Sequence, residues 1–210
     1  FSAQIIAGLI LFAYPTIHGW SEARQDAWLE NPWVTFSYIF LAQTITLILL
    51  HKFMKARRIT FKGLGLNKPR AAFIAYALGA YAVYFLIYLV SLVTAKALIP
   101  GLDLDQKQEL GFSHSETGIG LVPIFISLVI LPPIVEEIVV RGFMFKGLRT
   151  KLVFLPAAVI TSLIFAVAHL GEGGGGGLLW VAGIDTFVLS LVLCYLREKT
   201  GSLWPGIGVH

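Results

Sequence analysis

The sequence carries little charge, a single cysteine and no polar stretch long enough to form a domain of its own. Charged residues make up 13% of the chain, against about 25% in ordinary soluble domains, which excludes both a typical soluble fold and a solvated disordered one. Cys194 stands alone inside an apolar run, so an internal disulfide is excluded, no metal-ligand spacing surrounds it, and it reads as a small helix-packing residue. Internal repeats and coiled-coil heptads are also absent, excluding solenoids and long supercoiled helices. What fills the chain is apolar: 57% of residues are hydrophobic.

Six apolar runs approach or exceed the roughly 20 residues needed to cross a bilayer: Ala3–Ile17, Val34–Phe53, Ala71–Ala95, Ile119–Val140, Val153–Leu170 and Leu178–Leu196. A further run opens near Leu203 and breaks off at His210. The expected fold class is all-α, a polytopic transmembrane helical bundle of six helices plus the start of a seventh. One integral-membrane domain over 1–210 is the economical reading. Phe1 is not an initiator methionine and no positively charged signal start lies near it, so the chain is expected to extend at both ends.

The charges are arranged by side. Lys52, Lys55, Arg57, Arg58, Lys62, Lys68 and Arg70 crowd one connection without an acid among them. Nucleic-acid binding is set aside as a reading, because the cluster lies between two spans, where positive-inside topology accounts for it. Arg141, Lys146, Arg149 and Lys151 follow two crossings later, and Arg197 with Lys199 two crossings after that. All three groups are therefore expected on the cytoplasmic side. The alternate connections, His18–Trp33 and Gly101–Ser115, carry more acids than bases, as the opposite side would.

Against this background Glu136 and Glu137 stand out, adjacent carboxylates directly after the uncharged run Leu121–Val135. An ionisable group in hydrocarbon costs a few kcal/mol or more, so such a pair calls for a partner, a proton or a task. On a helix Glu137 and Arg141 are i and i+4, close enough to pair, whereas Glu136 points about 100° away from that arginine. Glu137 thus reads as structural and Glu136 as the carboxylate turned toward chemistry. Pro132-Pro133, one turn earlier, must interrupt the helix ladder and marks a place where protein or water satisfies the freed backbone groups. The run Gly173–Gly177 cannot hold a helix and matches no phosphate-cradling pattern; it reads as a loop at the site mouth, a linker or placeholder residues.

Two histidines complete the set. His169 shares a helix face with Phe165 at i and i+4, and His210 ends a stretch in which Gly201 suits a helix C-cap and Pro205 the first turn of the next helix. With the cytoplasmic boundary between Arg141 and Lys146, Glu136 and His210 come out roughly 8–15 Å deep, while His169 comes out nearer 20 Å and agrees less well. Glutamate plus histidine is the machinery that activates water. The same groups could hold zinc as a two-His, one-carboxylate set, but the His-Glu-x-x-His spacing is absent, and a metal-free site is preferred.

Glu136-Glu137-x-x-x-Arg141, Phe165-x-x-x-His169 and Thr200-Gly-Ser-Leu-Trp-Pro…His210, in that order, resemble the three signature motifs of the CAAX prenyl protease and bacteriocin-processing (CPBP, or Abi) membrane family. The motif-bearing core is 119–210, extended weakly by Leu64-Gly-Leu66. The resemblance implies an intramembrane glutamate protease in which Glu136 and His169 position and activate water, Glu137 and Arg141 support the site, and His210 stabilises the oxyanion. The family pattern also has an asparagine one turn after the last histidine, beyond the end of this sequence, so the native chain is expected to continue as a seventh helix.

The expected function is therefore an endopeptidase acting on a membrane-associated protein or peptide, without a cofactor, with the lipid bilayer as its surroundings. The motifs look bacterial, where CAAX prenylation is not expected, so a bacterial plasma membrane is the expected location and the substrate is not inherited from the family name. The alternatives are a non-catalytic membrane subunit or immunity protein bound in a larger membrane complex, and a proton-coupled transporter with Asp185 as a relay carboxylate. A transporter should show repeated halves or paired broken helices, and the sequence has neither.

Overall fold

The computed structural model describes residues 2–106, 118–171 and 177–210. Residues 173–176 of the glycine run and 107–115 of the second acidic connection lie outside them. Helices account for the regular structure of the described residues, and none of these forms a strand. In chain order we label α1 (Ser2–Ile17), α2 (Glu22–Leu29), α3 (Pro32–Ala56), α4 (Phe61–Leu64), α5 (Ala72–Leu98), α6 (Gly118–Leu148), α7 (Phe154–His169), α8 (Trp180–Thr200) and α9 (Trp204–Val209). All six apolar runs are helical. By length and composition α3, α5, α6 and α8 can each cross a membrane. The helices α1 and α7 have 16 residues each, about 24 Å, which is short of a hydrocarbon core of about 30 Å.

The described residues divide into two compact units, the first drawn from Phe1–Ile59 and Leu110–Val135, the second from Thr60–Glu109 and Glu136–His210. In the first, α3 packs against α1 and against the Leu121–Ile130 part of α6. Asn31 starts α3 by accepting the Trp33 N–H at 2.9 Å, and Pro32 occupies the first turn, where its missing N–H costs nothing. Tyr14, His18, Trp20 and Trp28 form an aromatic cluster with Arg24 over the Trp20 ring at 4.0 Å.

In the second unit α8 is the central helix, packed along α7 on one side and α5 on another, with α9 against α5. One core joins Ala77 of α5 to Leu193 and Leu196 of α8 and Val209 of α9. A second joins Phe145 of α6 to Ala157 and Ala158 of α7 and to Cys194, which is wholly buried, the packing residue its apolar run implied. Small residues at these contacts let the helices approach closely, the usual basis of helix association in lipid.

The prolines of α6 do not break it. Leu131–Glu136 stays α-helical, and the ladder widens instead into π turns on both sides, Ile126–Ile130 and Glu137–Phe145. Pro132 and Pro133 donate nothing to the carbonyls one turn back, and the first widening falls in that turn. The second begins at Glu137 and carries the candidate site.

Candidate functional site

All residues singled out by the three motifs belong to the second unit. The π turn Glu137–Phe145 holds Glu137 and Arg141, whose carboxylate and guanidinium pair at 3.0 Å with 1% and 0% of their side chains exposed. Such a pair is costly to break, because removing either partner strands a charge in a low-dielectric interior. The guanidinium also lies 4.4 Å over the ring of Phe165 from α7, a cation–π contact strengthened by the exclusion of water. From α9, Gly206 presents bare backbone to the Glu137 carboxylate, and a Cβ at that position would collide with it. Glu137 is thus enclosed and paired with Arg141.

Glu136, the last residue of the α-helical turn, is 26% exposed and points elsewhere. Its Oε2 lies 3.4 Å from Nε2 of His210, whose side chain is 15% exposed. His169 joins through Phe165. Its ring sits 4.4 Å from the Phe165 ring, and the His210 ring lies 6.1 Å from the same ring in an edge contact. One aromatic side chain therefore touches Arg141, His169 and His210. Both imidazoles meet this one ring.

The protonation geometry of His169 follows from its partner. Nδ1 lies 2.8 Å from the Phe165 carbonyl oxygen, which can only accept, so Nδ1–H donates and the lone pair of the neutral ring sits on Nε2. A carboxylate facing an imidazole at a partly exposed position, with a second imidazole whose basic nitrogen is free of that backbone bond, can take a proton from water and hand it on. As a metal set the same groups fit poorly: among the described residues no three His, Cys, Asp or Glu side chains come together in a way that could hold an ion.

The position of His210 is set from a distance in sequence. Gly201 ends α8 in the left-handed region at φ 66° and Pro205 opens α9, as the turn residues foretold. The stretch between is fastened to the basic connection. The Leu203 N–H donates to the Gly65 carbonyl at 3.0 Å, the Ser202 hydroxyl to Oδ1 of Asn67 at 2.8 Å, and the Trp204 indole N–H to the Asn67 carbonyl at 2.6 Å. Gly142 completes the fit, since a Cβ there would lie 3.2 Å from both Leu64 and Leu203. Leu64-Gly-Leu66 thus acts as a seat for the segment that carries α9.

Several of these partners escaped the sequence reading. Asn67 gave no signal beyond its adjacency to Leu64-Gly-Leu66, and Trp204, although inside the third motif, was given no role. Arg197 was read only as a topology charge; its guanidinium passes over Gly65, where a Cβ would lie 2.9 Å from Cζ, and it is a second positive neighbour of Glu137. Asp185 accepts a hydrogen bond from the Tyr84 hydroxyl of α5, within electrostatic reach of His169.

Residues 118–210 match a family model described as type II CAAX prenyl endopeptidase Rce1-like. No curated protein and no solved structure matches the chain. The matched segment contains Glu136, Glu137, Arg141, Phe165, His169 and His210, and over that segment the chain is similar to the Rce1-like CAAX prenyl endopeptidases.

Proposed function

We propose that this protein is an intramembrane endopeptidase that hydrolyses a peptide bond in a membrane-associated protein or peptide, using water activated by Glu136 and His169. The observation that carries the reading is the convergence of three chemically competent groups on one partly exposed spot: Glu136 at 3.4 Å from His210, and both histidines on the ring of Phe165. In this mechanism Glu136 takes a proton as water attacks the carbonyl carbon. His169, held by its Nδ1–H bond, orients that water through Nε2. His210 donates to the developing oxyanion, a task that accounts for a large share of catalysis where donors are preorganised. Collapse of the tetrahedral intermediate expels the amine, which receives the proton from Glu136. Glu137 and Arg141 keep their turn in place and do not exchange protons.

The test is mass spectrometry of membrane-associated peptides incubated with the purified protein and with Glu136→Gln. Cleavage by the unaltered protein alone supports the reading; equal cleavage by both sinks it, and co-purification of a stoichiometric membrane partner without any cleavage favours a subunit.

A further inference from the structure

A groove of about 620 Å³ runs between α5 and the pair α7 and α8, away from the candidate site. Its floor is made of small residues, Ala75, Gly79 and Ala80 of α5 and Ala158 of α7, with Val83 and Ile87 farther along. From Ala75 to Ile87 it follows α5 for about 18 Å. The helices α5 and α8 run antiparallel along it, since Tyr84 meets Asp185 while Ala77 packs on Leu193 and Leu196. Lys199, near the end of α8, therefore lies at the end of the groove marked by the start of α5, and it is the one charged residue of the lining. Tyr76 and Tyr195 add two amphipathic rings to the wall.

The lysine is uncompensated. Its neighbour Glu198 is occupied by Arg149 in a two-pronged contact at 2.6 and 3.1 Å, and among the described residues no side chain pairs with Lys199. An apolar slot about 18 Å long, with a lone ammonium at one end, complements a single lipid tail with an anionic head. Lysine stems lie along apolar surface while the ammonium reaches for the interface, where anionic headgroups gather.

We propose that this groove binds one acyl chain of an anionic phospholipid from the surrounding bilayer, with the lipid phosphate on Lys199. The site needs no peptidase chemistry and stands independently of the proposed function.

Native mass spectrometry of the whole protein released from detergent, loaded with phosphatidylglycerol or with phosphatidylcholine of identical chains, tests it. The unaltered protein should retain the anionic lipid about fivefold better, the effect of one lysine near a membrane surface. Lys199→Gln should level the two lipids while leaving phosphatidylcholine retention as it was, and Lys96→Gln, in the last turn of α5 and so at the opposite end of that helix, should leave the preference unchanged. Gly79→Leu should lose both lipids, because a side chain at Gly79 meets open space and fills the slot without displacing the fold. Equal retention of both lipids by the unaltered protein, an unchanged preference in Lys199→Gln, an equal drop in Lys96→Gln, or full retention by Gly79→Leu would each overturn the proposal. Phosphatidylglycerol carrying a photoreactive acyl chain gives a reading without any substitution: adducts on peptides containing Val83, Ile87 or Ala158 support the site, and adducts confined to α1 and α3 overturn it.

Discussion

Two membrane-length helices differ sharply in their surroundings: α3 of the first unit has 6% of its apolar window buried, and α8 of the second has 50%. Their polar side chains differ in the same sense. In α3 the Ser37 and Thr46 hydroxyls bond carbonyls of their own helix at 2.7 and 2.8 Å. In α8, Asp185 reaches Tyr84 of α5, and Glu198 reaches Arg149 beyond α6. Apolarity commits both helices to lipid. Side-chain-to-side-chain bonds beyond its own helix mark α8 as the one held in register with its neighbours, and the candidate chemistry lies in the unit built around it.

That contrast can be broken by substitution. The largest effect is expected at Glu136: Glu136→Gln should lower peptide hydrolysis by about 10²–10⁴-fold, the worth of a positioned proton acceptor, with no change in thermal unfolding. Thr46→Val in α3 should leave turnover alone; a comparable loss there would mean that the first unit takes part. His210→Ala should cost about 10²–10³ in turnover, read in the same assay, since it removes one oxyanion donor.

Arg141→Ala sharpens the comparison on the side of stability. It leaves Glu137 charged and enclosed, and should cost about 3–5 kcal/mol in reversible unfolding from detergent. Phe40→Ala, on a side chain of α3 that is 51% exposed, should stay within about 0.5 kcal/mol. Equal losses for the two would erase the distinction between the units. A smaller effect belongs to the Tyr84–Asp185 bond: Tyr84→Phe should cost about 1.5–3 kcal/mol, and the double variant with Asp185→Asn should cost less than the two separate losses combined. The smallest is no effect at all: exhaustive chelation should leave hydrolysis unchanged, and loss of activity restored by zinc would move the mechanism to a metal.

Much of the second unit was legible because its signals are local. The Glu137–Arg141 pair, the shared face of Phe165 and His169, the Gly201 cap and the Pro205 start each depend on residues a turn or so apart, where helix geometry dictates the outcome. The π turn at Glu137–Phe145 was not legible, since apolar periodicity records which face a residue takes and hardly registers one extra residue per turn. The seat formed by Gly65 and Asn67 for residues 201–204 was hidden for another reason. Its partners are separated by well over half the chain, and backbone acceptors such as the Asn67 carbonyl leave no trace in residue type. Arg197 looked like any basic residue at a helix end until Gly65 opened a path for its guanidinium.

The seat has a mechanical consequence. The same short connection that carries Lys62, Lys68 and Arg70 also holds the segment leading to His210, through the carbonyls of Gly65 and Asn67. Loss of those hydrogen bonds would loosen α9 and with it the approach of the His210 imidazole to Glu136. In the proposed mechanism the loop is in that sense a throttle: how firmly it holds residues 202–204 sets how closely Glu136 and His210 can stand.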